Sequence, residues 1–141
     1  MQAFELDARL AGDTFRLGRF ELCEILLMDD ARWPWLILVP MRPGLVEWHD
    51  LSPADLPLAA GEIARASSTL QRESGALKIN TGAIGNMVRQ LHLHVIARFS
   101  CDPNWPKPVW GHGHRTPYDA PRREEALTRL TAALGAQGMR Q

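Results

Sequence analysis

Two histidines separated by one leucine, His92 and His94, stand in the stretch Gln90-Leu-His-Leu-His-Val-Ile96, where polar and apolar residues alternate. Side chains on a strand alternate between faces, so a strand here sets Gln90, His92 and His94 on one face and Leu91, Leu93, Val95 and Phe99 on the other. Neutral imidazole is a good nucleophile toward phosphorus near neutral pH, because its unperturbed pKa is about 6.5 and much of it is uncharged. A phosphorus–nitrogen bond formed in this way gives a covalent intermediate that water or another acceptor resolves in a second step. Immediately upstream, Asn80-Thr-Gly-Ala-Ile-Gly-Asn86 is a polar loop with two glycines. Glycines let backbone N–H groups approach an anion closely, so donors and imidazoles together point to phosphate chemistry. The competing reading of the same residues is a half-buried sheet with two solvent-facing histidines.

Several elements are needed to position that stretch. Phe20 to Met28 reads as a strand closed by the turn signal Asp29-Asp30, and Trp35 to Val39 as its antiparallel partner, ended by Pro40 and Pro43-Gly44. Ser52-Pro53, with Asp55 three residues after the serine, starts a helix predicted to run to about Glu73. Its apolar positions Leu56, Ala59, Ala60, Ile63, Ala66 and Leu70 recur at helical steps, so one face packs on the sheet. Leu77 to Asn80 and Val88 to Phe99 supply two more strands, and Arg122 to Leu134 a final amphipathic helix with Leu127, Leu130 and Leu134 inward. Strands in runs with one long helix between them predict an α+β fold on an antiparallel sheet of about five strands.

Composition narrows the function classes. The 141 residues suit a single domain, and Lys plus Arg equal Asp plus Glu at 16 each. That balance removes any global pull toward nucleic acid or membrane, while a small anionic ligand needs only local charge. No apolar run approaches the length of a bilayer span. Cys23 and Cys101 lack metal-site or disulfide spacing, and the first residues read as carrying no cleavable apolar leader, so a reducing, cytoplasmic setting is expected.

The motif resembles that of the histidine triad (HIT) family of nucleotide-binding hydrolases and transferases, whose signature is His-φ-His-φ-His-φ-φ with φ apolar. Here it reads Gln90-φ-His92-φ-His94-φ-φ. Trp35-Leu-Ile-Leu-Val-Pro40-Met-Arg-Pro43 and Trp48-His-Asp-Leu-Ser52 are similar to the family's strand, turn and approach to the long helix, and the likeness spans roughly residues 20 to 99. The resemblance implies a HIT-like sheet, no cofactor, frequent homodimerisation, and a nucleotidyl group carried on the middle residue of the triad, His92. It implies that His94 sits near the scissile bridge and helps the leaving group depart. Gln90 departs from the pattern: an amide donates and accepts hydrogen bonds but cannot titrate, so it is left to orient a phosphate oxygen or His92. Trp35 stands where many members carry a further histidine. Asn80 and Asn86 resemble the family's phosphate or ribose contacts, Met87 replaces a hydroxyl residue, and Asp29 stands near the position that holds ribose hydroxyls.

Beyond that span, Trp105-Pro-Lys-Pro-Val-Trp110 favours an extended path with two large apolar anchors, expected to wrap over the sheet or across a dimer interface. His112 and His114 have no cysteine or carboxylate cluster in ligand spacing nearby, so no metal is expected. His49 reads as a surface residue. The reading is a nucleotide hydrolase or nucleotidyl transferase acting on a dinucleoside polyphosphate or phosphoramidate. The alternative is a catalytically weak nucleotide-binding or sensor module.

Overall fold

The apolar runs at Cys23–Met28 and Trp35–Pro40 carry almost no polar alternation, which fits strands covered on both faces. In the computed structural model, which describes residues 2–141, these runs are β2 and β3, and every residue of β3 is buried. With β1 (Thr14–Arg19), β4 (Lys78–Gly82) and β5 (Leu93–Arg98) they form one sheet in the order β1-β2-β3-β5-β4, with every neighbouring pair antiparallel. Three helices, α1 (Ala8–Asp13), α2 (Asp55–Ser74) and α3 (Ala120–Gly135), complete the α+β architecture. Among the described residues no helix is long and apolar enough to cross a membrane.

The two faces of the sheet have different covers. Ile25, Leu27, Leu36, Leu38, Leu93 and Val95 pack with Ala59, Ala66 and Leu70 of α2 and Leu130 and Leu134 of α3. Leu26, Trp35, Ile37, Val39 and Ile96 face the other way and meet Leu10 of α1, Trp33 and Val109. The second face carries the histidines.

Helix α2 starts where expected, with Ser52 Oγ accepting from the Asp55 N–H at 3.1 Å. Glycine at position 75 ends it in the left-handed region (φ 69°). Its buried stripe differs from the apolar one predicted: Leu56 and Ala60 are exposed, while Glu62 and Thr69 are fully covered. The Glu62 carboxylate accepts from the backbone N–H groups of Leu22 and Cys23 at 2.9 and 2.8 Å, clamping the helix to the start of β2. Burial, reinforced by that carboxylate, pushes the Cys23 thiol far above its ordinary range, so it is an inert core residue.

Strand β1 and helix α1 have no counterpart among the elements predicted. β1 is short, contains Gly18, and shifts register between Arg16 and Gly18, so its alternation is interrupted. A Cβ at Gly18 would collide with the carbonyl of Arg140, whose backbone pairs with Arg19 at 2.7 and 2.8 Å. The histidine strand is also shorter than predicted. It begins at Leu93, not Val88, and residues 83 to 92 are loop and bend.

Removing the Glu62 carboxylate strands two buried N–H donors. Glu62→Ala is expected to lower unfolding free energy by about 3 kcal/mol, with Glu62→Gln intermediate because its single oxygen replaces two acceptors. Urea midpoints at constant m would check this, and a loss below about 1 kcal/mol would contradict the clamp.

Candidate active site

Register on the sheet places His94 between Ile37 of β3 and Gly82 of β4. His92 precedes β5 yet turns to the same side, its ring centroid 5.0 Å from that of His94. Both line a cleft of about 290 Å³ with Ile37, Met28, Leu10 and the loop residues Ile84 to Val88. Each is nearly buried, 6% exposed.

The partners of the two rings fix their protons. Nδ1 of His92 lies 2.6 Å from the Gln90 carbonyl oxygen. A carbonyl only accepts, so Nδ1 carries the hydrogen, and in its neutral form the ring has its lone pair on Nε2. Nδ1 of His94 receives the indole N–H of Trp35 at 3.0 Å. Indole only donates, so here Nδ1 holds the lone pair and Nε2 the hydrogen. The site thus pairs one imidazole that can attack with one that can donate. Burial, with a smaller contribution from neighbouring His92, pushes the His94 pKa down to about 3, so this ring stays neutral.

Trp110 closes the cleft. Its ring lies 5.5 Å from His94, and a Cβ at Gly82 would come within 3.2 Å of its Cη2. One glycine of the loop therefore makes room for an indole; the other, Gly85, turns the chain at φ 70°. The segment holding Trp110 wraps over the sheet face, one of its two expected placements, but through successive turns rather than on the extended path expected. It is anchored by buried Arg98, which donates to Asp102 at 2.8 and 3.0 Å, to Asn80 Oδ1 at 2.8 Å and to the Lys107 carbonyl at 2.7 Å.

The remaining candidates divide. Asn86 lines the cleft beside both histidines, with the exposed Met87 next to it. Asn80 does not line it; its amide oxygen is held by Arg98. Asp29 accepts from the Tyr118 N–H at 2.9 Å and secures the approach to α3. Gln90 leaves the histidine face because the strand has not begun there, and its amide grips the N-terminal segment: Oε1 accepts from the Asp7 N–H at 2.9 Å and Nε2 donates to the Glu5 carbonyl at 2.8 Å. His49 and His114 are exposed. His112 stacks edgewise on Trp33 at 6.3 Å. No group of three or more His, Cys, Asp or Glu among the described residues is arranged to hold a metal ion. The N-terminal wall of the cleft, with Arg9, Leu10 and Asp13, has no signal in the alternation around the histidines; the charged-apolar spacing of residues 4 to 10 is its only trace.

A family model described as HIT domain matches residues 10–101. A histidine triad protein from Sinorhizobium meliloti is 45% identical, with 92% of this chain and 96% of that chain covered at a TM-score of 0.89. One from Marinobacter aquaeolei is 40% identical, with 96% and 98% covered at a TM-score of 0.93. A zinc-bound family protein from Mycobacterium smegmatis is 21% identical, with 92% and 91% covered, and shares the fold at a TM-score of 0.64. Among curated proteins none matches.

The depressed His94 pKa has a signed consequence for stability. The unfolded chain protonates this imidazole below about pH 6.5 and the native protein does not until about pH 3, so His94 favours folding above that window and the benefit is lost as pH falls through it. Between about pH 6.5 and about pH 5 the wild type is expected to lose roughly 1 kcal/mol per pH unit more than His94→Gln. Denaturant titrations of both proteins across that range would show parallel curves if His94 titrated normally.

Proposed function

The chain belongs to the histidine triad family, and from that premise we propose that it is a nucleotide hydrolase or nucleotidyl transferase working through a covalent His92 intermediate. The observation that carries the reading is the opposite tautomers of the two buried imidazoles. Nε2 of His92 forms a bond to the α-phosphorus while the bond from phosphorus to the leaving group breaks, its electron pair departing with that group. The positive charge left on the imidazole is shared with Nδ1–H, which the Gln90 carbonyl holds. Water or another acceptor then attacks phosphorus, the P–N bond returns its pair to Nε2, and the acceptor's proton passes to solvent.

His94, neutral and with its hydrogen on Nε2, donates a hydrogen bond to the bridging or leaving atom rather than a full proton. That favours leaving groups stable as anions, such as the phosphate of a dinucleoside polyphosphate, over amines, which must be protonated to leave. Asn86 is the remaining polar candidate for a phosphate contact, and the apolar residues of the cleft suit a base. We read residues 1 to 141 as one domain, with the segment after the matched region closing the site. The family reading also carries homodimerisation; β4 is an edge strand beside an apolar cleft of Trp48, Ile63 and Leu93, which supports pairing there.

Incubation with an α-labelled dinucleoside polyphosphate is expected to trap one nucleotidyl group on His92, seen by mass spectrometry and absent in His92→Ala. Tight binding with neither adduct nor turnover would favour a nucleotide-binding module instead. Trp35→Phe removes the donor that fixes the His94 tautomer and is expected to slow adduct formation by about 10- to 100-fold. Unchanged single-turnover rates in that folded variant would reject the assigned role of the indole.

A further inference from the structure

The N-terminal segment is built into the cleft in a way that the triad does not require. Phe4, Leu6 and Leu10 pack against the histidine face of the sheet with Leu26, Ile37 and Val39. Gln90 clamps this arm at two points, the Asp7 N–H and the Glu5 carbonyl. An amide suits that task because its oxygen and one N–H point the same way side by side, matching a donor and acceptor two residues apart on an extended chain. The ring nitrogens of an imidazole point apart and cannot grip both.

The arm delivers one further group. Asp7 caps α1 through the Arg9 N–H at 2.8 Å, and Arg9 lines the cleft that holds His92 and His94. The Arg9 side chain is exposed and makes no ion pair or hydrogen bond among the described residues. It is the one cationic side chain lining the cleft. The single carboxylate there, Asp13, is partnered by Arg115 at 3.5 Å. Beside two buried imidazoles the cleft therefore presents one unpaired guanidinium, the group best shaped to grip phosphate oxygens.

We infer that Arg9 binds the phosphate of the nucleotide substrate, and that Gln90 is a positioning residue that sets Arg9 in place by clamping the N-terminal arm. The inference rests on the nucleotide reading above, yet needs no turnover. It gives Gln90 a positive role as the fastening of a second wall, where an incomplete triad would leave it only a lost imidazole.

Calorimetric titration with AMP and GMP, each against its nucleoside, tests it on the full chain. Wild type is expected to bind the monophosphates more tightly than the nucleosides, and Arg9→Ala to weaken monophosphate binding about tenfold while leaving nucleoside binding within about twofold; tenfold is ~1.4 kcal/mol. Arg9→Lys should recover part of the loss. Gln90→Ala, checked for an unchanged fold by circular dichroism, should reproduce the Arg9→Ala loss, with no further loss in the double variant. In turnover, both single variants should raise KM more than they lower kcat. No preference for monophosphate in wild type, or a preference that survives Arg9→Ala, would overturn the Arg9 assignment; full monophosphate affinity in Gln90→Ala would overturn the clamp. Failure of the His92 adduct with Arg9-dependent AMP binding intact would strike the catalytic reading alone. An adduct on His92 with AMP binding indifferent to Arg9 would strike this inference alone.

Discussion

The hydrogen bond from the Trp35 indole to His94 Nδ1 is the constraint on which the site depends. A donor that cannot accept leaves the imidazole one tautomer, and burial leaves it one charge state. Strand register makes the bond possible: Trp35 opposes Ile96, and Ile37 opposes His94, so the indole lies diagonally across from the imidazole on the same face. A slip of one residue would send Leu36 to that place and Trp35 into the helix-covered core. The buried character of β3 is therefore part of the chemistry, since the apolar residues that hold its register also hold the donor.

A second layer fixes the opposite side of His94. A buried ion pair adds little net stability unless its remaining hydrogen-bonding groups are also satisfied. Arg98 meets that condition with the Asp102 carboxylate, the Asn80 amide oxygen and the Lys107 carbonyl, while its guanidinium lies 5.9 and 5.6 Å from the Trp33 and Trp105 rings. Burial alone would raise the Asp102 pKa, yet Arg98 and the backbone N–H groups of Phe99 and Asn104 hold it well below the usual carboxylate range. The network specifies the path of residues 99 to 110 over the sheet and so sets Trp110 against His94. Asn80 is spent on this framing, which explains why an amide near the glycine-bearing loop does not line the cleft.

What was legible in the sequence followed from periodicity and from motif. The continuous apolar run of β3 and the leucine spacing of α3 read correctly, because burial on one or both faces imposes the period; for α2 the helix itself was legible but its buried stripe only in part, since Ala59, Ala66 and Leu70 face the core while Leu56 and Ala60 do not. β1 escaped because a bulge at Gly18 breaks its alternation, and α1 because six residues are too few to show a helical stripe. The extent of β5 was overread: the alternation from Gln90 to Ile96 is real, but the chain pairs only from Leu93, so Gln90 lies outside the geometry that alternation assumes. His92 and His94 come together as the motif implies. The partners that set their protons, an indole from another strand and a backbone carbonyl two residues back, could not be read from spacing, since both depend on tertiary register. Glu62 was invisible for a related reason. A buried carboxylate is recognised only when the backbone donors it satisfies are known.

The two residues that the resemblance marks as departures from the family pattern, Trp35 and Gln90, have a common physical sense. Each is a group that hydrogen-bonds without titrating, and each spends its bonds on the protein: one orients an imidazole, the other fastens an arm. With such groups the dipoles around the proposed reaction centre are fixed before substrate arrives, and no reorganisation is needed as charge develops. The corresponding loss is of proton supply, because His94 remains neutral far below physiological pH. A preorganised site with little acid to offer must obtain its driving force from the leaving group and from electrostatic contact with the phosphate. The overall charge of the chain is balanced. Such contact therefore has to be local, and in the proposed reading a cationic side chain held on the rim supplies it without disturbing the buried environment that keeps His94 neutral.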